Sequence, residues 1–96
     1  MHAQVRSYSG AGASELFDLI ESRKDEVEET LRGVSGFASW SAIRTEDGGV
    51  TITVCQDKAG ADESNQVARA WVAENGADLG VSAPAVSEGP VSLHFR

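Results

Sequence analysis

The stretch Gly36 to Asp57, GFASWSAIRTEDGGVTITVCQD, decides how the rest of the chain is arranged. Two runs of β-branched, aromatic and small residues flank Glu46-Asp47-Gly48-Gly49, and Asp-Gly followed by a second Gly accepts the positive φ of a tight turn at little steric cost. The stretch therefore predicts a hairpin with strands over residues 36–46 and 49–57. In the first strand Phe37, Ser39, Ser41 and Ile43 alternate with Ala38, Trp40, Ala42 and Arg44, so neither face is purely polar. In the second, Val50, Ile52 and Val54 alternate with Thr51, Thr53 and Cys55, which sets an apolar face against a mixed one.

On either side of the hairpin the period lengthens. Leu16, Phe17, Ile20, Lys24, Val27 and Leu31 recur at spacings of three and four, which predicts one long helix over residues 13–32. Ser14 is its expected N-cap, Glu15 and Asp18 suit its positive end, and Arg32-Gly33 closes it. The acidic run Asp25, Glu26, Glu28 and Glu29 reads as a solvated helix face, with Glu28 and Arg32 in the favourable order four apart. After the hairpin, Asp57-Lys58-Ala59-Gly60 leads into a second helix over 60–75, which turns Ser64, Val67, Ala68, Trp71 and Val72 inward and stops at Asn75-Gly76. The two ends of the chain supply short strands over 2–8 and 85–95. The last is interrupted at Gly89-Pro90 and sets Val91, Leu93 and Phe95 against Ser92, His94 and Arg96.

Strand, helix, hairpin, helix, strand is the order of the ferredoxin-like βαββαβ class, an α+β domain with one antiparallel sheet and two helices on one face, here as a single domain over 1–96. The face holding Val5, Val50, Ile52, Val54, Val91, Leu93 and Phe95 is the one expected under the helices. By exclusion Gln4, Arg6, Tyr8, Trp40, Thr51, Thr53, Cys55, Ser92 and His94 share the uncovered face. An open face with Trp40 and Tyr8 among alanines and threonines calls for a cover, and a homodimer supplies one.

Composition narrows the function classes. A chain of 96 residues buries only a modest core, which a second subunit would enlarge. At 41% hydrophobic and 24% charged it has an ordinary globular composition, and no apolar run approaches the roughly 20 residues that span a bilayer. Eight Lys and Arg are scattered among fifteen acids for a net charge of −7, so a nucleic-acid partner is not expected. The opening residues Met-His-Ala-Gln-Val-Arg lack a basic region followed by an apolar run, which gives a cytoplasmic expectation. The lone Cys55 fits a reducing compartment and forms no intrachain disulfide.

From ELFDLIESRKDEVEETLRGVSGFASWSAIRTEDGGVTITVCQDKAGADESN, with its flanking strands, the chain resembles the dimeric α/β-barrel proteins related to the antibiotic biosynthesis monooxygenases. The marks are Gly36-Phe37 entering a strand, the Asp47-Gly48-Gly49 turn and the Asp57-Lys58 exit towards a helix, all structural. The resemblance implies sheets packed across a dyad into a barrel, and a range of members from cofactor-independent oxygenases to haem-degrading enzymes and proteins without assigned activity. The haem-degrading branch uses an Asn, a Trp and a helix-borne His; here Gln4 stands where the Asn is wanted and the second helix has no His. Trp40 and Trp71 do not repair that pattern.

The residues themselves suggest a site without a cofactor. Two His and one Cys form no metal-ligand spacing. His94 is the candidate general base, because imidazole titrates near neutral pH and an oxygenase of this kind needs a substrate proton removed; a rim position is the plainer alternative. Arg6 can hold a carboxylate or enolate, while Tyr8 and Trp40 can stack on an aromatic ligand, with Thr53 and Cys55 beside them. For the aromatics the structural reading is subunit packing, for Arg6 a salt bridge across the dyad, and for Cys55 a buried thiol. Trp71 reads as core. Two classes follow: a cofactor-independent monooxygenase-like enzyme acting on a small aromatic or polyketide-like molecule inside the barrel, or a non-catalytic small-molecule-binding or assembly module of the same fold.

Overall fold

The computed structural model describes residues 1–96. Strands β1 (His2–Ser9), β2 (Phe37–Thr45), β3 (Gly48–Cys55) and β4 (Ala85–Pro90) form one sheet in the order β2-β3-β1-β4, every neighbouring pair antiparallel. Helices α1 (Ala13–Ser22), α2 (Lys24–Arg32) and α3 (Lys58–Asn75) and a 3-10 turn (Ala77–Leu79) complete a ferredoxin-like α+β fold. As the sequence suggests, the first and last strands of the chain lie side by side, with Val5 opposite Ser87.

The hairpin forms where expected, but its loop is Glu46-Asp47, closed by the Thr45–Gly48 pair. Both loop residues keep negative φ, and the positive value of 153° falls on Gly48. A side chain at Gly48 would run into the Tyr8 carbonyl, so glycine is required there on two counts.

Three boundaries differ from expectation for identifiable reasons. The long helix over 13–32 is broken at Arg23, which has φ −117° and ψ 33°. Just before the break the Ser22 hydroxyl donates to the Leu19 carbonyl at 2.8 Å, a side-chain bond that competes with the helical ladder. At the other end Gly12 in the left-handed conformation, rather than Ser14, caps α1, and the Ser14 hydroxyl accepts from Arg44 instead. The last strand stops at Pro90, which has no N–H for a ladder. Val91 still donates to the Met1 carbonyl, after which the chain leaves the sheet; Leu93 is 77% exposed and Phe95 87%. They are therefore not under the helices.

The largest correction concerns the faces of the sheet. Gln4, Arg6, Tyr8, Thr51, Thr53 and Cys55 do share one face, but it is the helix-covered one and all six are buried. Val5, Val50, Ile52 and Val54 lie on the opposite face, half-buried with no helix above them. The apolar contribution to the core comes from the helices: Ala13, Leu16 and Phe17 from α1 join Tyr8, and Ala61 from α3 joins Val34 and Cys55. Gly49 makes the inversion possible, because a Cβ there would fall inside the Phe17 ring. In that space Phe17 meets Tyr8 edge-on at a centroid distance of 5.9 Å and an interplanar angle of 72°.

Candidate functional site

Because side chains alternate along a strand, Arg6 and Tyr8 emerge from β1 on the same side, with Thr51 opposite Arg6 on β3 and Trp40 opposite Thr53 on β2. Above them α1 contributes Ile20, α2 contributes Val27 and Leu31, and α3 contributes Trp71 and Val72. Together these residues line an inner chamber of ≈ 50 Å³ between sheet and helices. A wider groove of ≈ 460 Å³ opens between α1, α2 and β2. Ile20, Val27, Leu31 and Trp40 line both, so the groove and the chamber adjoin at these side chains.

The volumes decide how a ligand would sit. A cavity that takes up benzene measures about 150 Å³, so the inner chamber alone is too small for an aromatic ring. The groove is within the range of about 300–1,000 Å³ usual for small-molecule sites. A ligand therefore rests its bulk in the groove, and reaches the chamber with a small group or by displacing a Trp side chain.

The inner end is polar in an uncommon way. Arg6 is 3% exposed and donates through its terminal nitrogen to the Tyr8 hydroxyl at 2.6 Å, while its guanidinium lies 5.8 Å from the Tyr8 ring centre. Its Nε has no partner, and Arg6 makes no salt bridge. A buried charge without a counter-charge costs several kcal/mol even after relaxation. At the helix side, the Trp71 indole donates to the Glu26 carboxylate at 3.3 Å, and the Asn75 amide donates to the Trp71 carbonyl at 3.0 Å. The first contact ties α3 to α2 beside the chamber, and the second lies within α3. Arg44 ties β2 to α1 at the groove's end through Asp18 (2.8 Å) and Glu21 (2.9 Å).

The expected site residues divide into three groups. Arg6, Tyr8 and Trp40 line one chamber. Thr53 and Cys55 are buried on the same face of β3 but do not reach it. Cys55 instead packs with Val34 and Ala61; burial pushes its thiol up, and the Asp57 and Glu63 carboxylates push the same way. His94 lies in the exposed tail beyond β4, away from the other five. The space they define is inside one chain, between sheet and helices, rather than between the sheet and a partner. Sequence reasoning missed Trp71, assigned to the core on its helical spacing, and Thr51, which shares a strand face with Thr53. The parity of Thr51 with Arg6 was the available signal.

No protein-family model matches the sequence, and no curated protein sequence does. Solved structures do. SnoaB, a cofactor-independent oxygenase from Streptomyces nogalater, superposes with a TM-score of 0.68 at 15% identity, covering 98% of this chain and 95% of that one. The monooxygenase ActVA-Orf6 of Streptomyces coelicolor, in complex with nanaomycin D, gives 0.65 at 20% identity, with 99% and 90% covered. The ferredoxin-like α+β fold is shared with both of these oxygenases. A protein of unknown function from Nitrosomonas europaea superposes as well, with a TM-score of 0.71 at 17% identity over 99% of this chain and 91% of that one. At these identities the likeness is one of fold.

Proposed function

We propose that this chain is a homodimeric, cofactor-independent monooxygenase-like enzyme that acts on a small aromatic or polyketide-like molecule, bound in the groove and chamber of each chain. The observation that carries the reading is the buried Arg6–Tyr8 pair at the inner end of a cavity walled by Trp40 and Trp71, in a fold shared with two oxygenases. An activated methylene or phenol whose anion is delocalised over aromatic rings can pass an electron to O2 directly. One oxygen atom then enters the product as a carbonyl, and the other leaves as water with both methylene hydrogens.

The chain's own contribution is electrostatic. Glu21 and Glu28 line the groove but no His, Asp or Glu lines the chamber, so at the inner end Arg6 is the group that stabilises a developing enolate, with the Tyr8 hydroxyl free to donate its proton to the same oxygen. Apolar Ile20, Val27 and Leu31 exclude water and strengthen that field. His94 takes part in proton removal only where the tail of one chain lies over the groove of another.

The open sheet face supports the dimer. Val5, Ile43, Val50, Ile52 and Val54 make one apolar band, and an obligate interface on it would bury on the order of 2,000 Å² or more in total. A second copy also supplies a surface for the exposed Leu93 and Phe95.

The test is oxygen uptake with a hydroxyanthrone as substrate. Turnover is expected, reduced at least about tenfold in Trp40→Ala by loss of ring positioning, with the variant still dimeric by light scattering. His94→Ala, measured alongside, shows whether the tail contributes. The small inner chamber favours a second reading, a non-catalytic binding module; tight binding of the anthrone without oxygen uptake would establish that reading instead.

A further inference from the structure

Arg6 is reached from two sides. Besides the chamber, Arg6 and Tyr8 also line a side groove of ≈ 280 Å³ between α3 and the segment leading into β4. Arg69 on α3 stands on its wall, and Val72, Val81, Ala83 and Pro84 supply apolar surface. No acid lines this groove. That is unexpected in a chain with fifteen acids and eight Lys and Arg. Arg23, Arg32, Arg44 and Lys58 all have carboxylate partners. Arg6, Lys24, Arg69 and Arg96 have none; of these Arg6 and Arg69 share one groove, and the Arg6 Nε is a buried donor without an acceptor.

We propose that this side groove is a binding site for an organic carboxylate. The acid group lies between the guanidinium groups of Arg6 and Arg69 and accepts the Arg6 Nε–H and the Tyr8 hydroxyl proton. Its apolar body lies against Val72, Val81, Ala83 and Pro84. A carboxylate matches the planar donor fork of an arginine and supplies the negative charge that Arg6 lacks. The apolar wall favours an organic acid over an inorganic anion, which would leave that surface wet. The proposal concerns binding through the side groove and draws on the same Arg6 and Tyr8 donors as the chamber, so a carboxylate bound there would compete with an enolate for them.

The test uses acetate, benzoate and 2-naphthoate beside benzamide and sulfate, with calorimetric titration and thermal melting of the full chain at low ionic strength. Benzoate or 2-naphthoate should bind and raise the melting temperature, with benzamide and sulfate doing neither. Arg6→Met should weaken the binding by about 10- to 100-fold and Arg69→Ala by about tenfold, as expected for charge-assisted hydrogen bonds. Without ligand, Arg6→Met should melt no lower than the parent, because it removes an unneutralised buried charge. Benzamide binding as tightly as benzoate, sulfate binding as tightly as the organic acids, or no acid binding at all would overturn the proposal. So would a large loss of stability in Arg6→Met, which would make Arg6 a structural residue. Oxygen uptake plays no part in this readout, so failure of the organic acids to bind is distinguishable from failure of the oxygenation reading.

Discussion

The two faces of the sheet differ in a direction opposite to the usual one. Under the helices lie Gln4, Arg6, Thr51 and Thr53, buried and polar, with Tyr8 and Cys55. On the open side lie Val5, Val50, Ile52 and Val54, apolar and only half-buried. A face covered by helices usually reads as the oily one, because burying apolar area is the main favourable term in folding. Here the helices bring their own apolar side chains, Leu16, Phe17, Val27 and Leu31, and the sheet answers with small or polar ones. The covered face is thus shaped to hold a chamber with a polar floor, while the open face is suited to a second copy.

The sharpest way to break this comparison is to place a charge on the open face. Ile52→Asp sets a carboxylate in the middle of the apolar band, and across a dyad it does so twice. If that band is the subunit contact, an uncompensated charge costs about 3–5 kcal/mol per site, enough to convert the dimer to monomer. Sedimentation velocity reads the outcome directly. An unchanged dimer in Ile52→Asp would show that the band is not the contact.

On the covered face the largest effect belongs to Phe17. It is 1% exposed and fills the space above Gly49. Phe17→Ala should destabilise by about 3–5 kcal/mol, from lost burial together with the cavity left behind. Denaturant unfolding measures it. A cost below about 1 kcal/mol would mean that the helices collapse onto Gly49, and that the chamber is softer than its packing implies.

How much of this was legible in the sequence can be argued from particular residues. Hairpin, helical segments and strand order followed from turn chemistry and periodicity, but the spacing Leu16, Ile20, Val27, Leu31 reads as one helix and does not report the break at Arg23. The grouping of Gln4, Arg6, Tyr8, Trp40, Thr51, Thr53 and Cys55 was legible too, because strand parity is rigid. Which side the helices take was not. Alternation labels two faces but not which is inside, and choosing the valines assumed that sheet and helices contribute equally to the core. Gly49 carried the missing information: on the Tyr8 side it leaves a hole of the size of a helix aromatic. The tail was misread because Val91, Leu93 and Phe95 alternate like a strand, while Pro90 has already ended the ladder. The cavity itself depends on three helices converging, and no local pattern reports that.

A smaller effect sharpens the contrast from inside. Gln4 is 1% exposed, and neither its amide nitrogen nor its amide oxygen has a partner. An unsatisfied buried amide costs about 1–3 kcal/mol, so Gln4→Met, similar in shape and without that demand, should raise stability by a comparable amount. A variant less stable than the parent would show that the amide is satisfied by bound water, and that the polar face is hydrated beyond the chamber.

The smallest effect is in the pH dependence and rests on Cys55. Burial raises its pKa, with Asp57 and Glu63 acting in the same direction. The thiol ionises near pH 8.5 in the unfolded chain but stays protonated to higher pH in the folded one. Above that pH the unfolded state binds fewer protons than the native state, so stability must fall as pH rises. The contribution is fully present below the unfolded value and is lost progressively from there up to the folded one. The loss grows by at most about 1.36 kcal/mol per pH unit until the folded thiol ionises as well. Tyrosine and lysine titrate in the same range, so the parent's profile alone does not isolate the thiol. Comparison with Cys55→Ala does, because every other group is common to both. The two unfolding curves should keep a constant offset below pH 8 and converge between about pH 8.5 and 10. An offset that stays constant through pH 10 would mean that the thiol titrates alike in both states, and that the covered face near Val34 and Ala61 admits water.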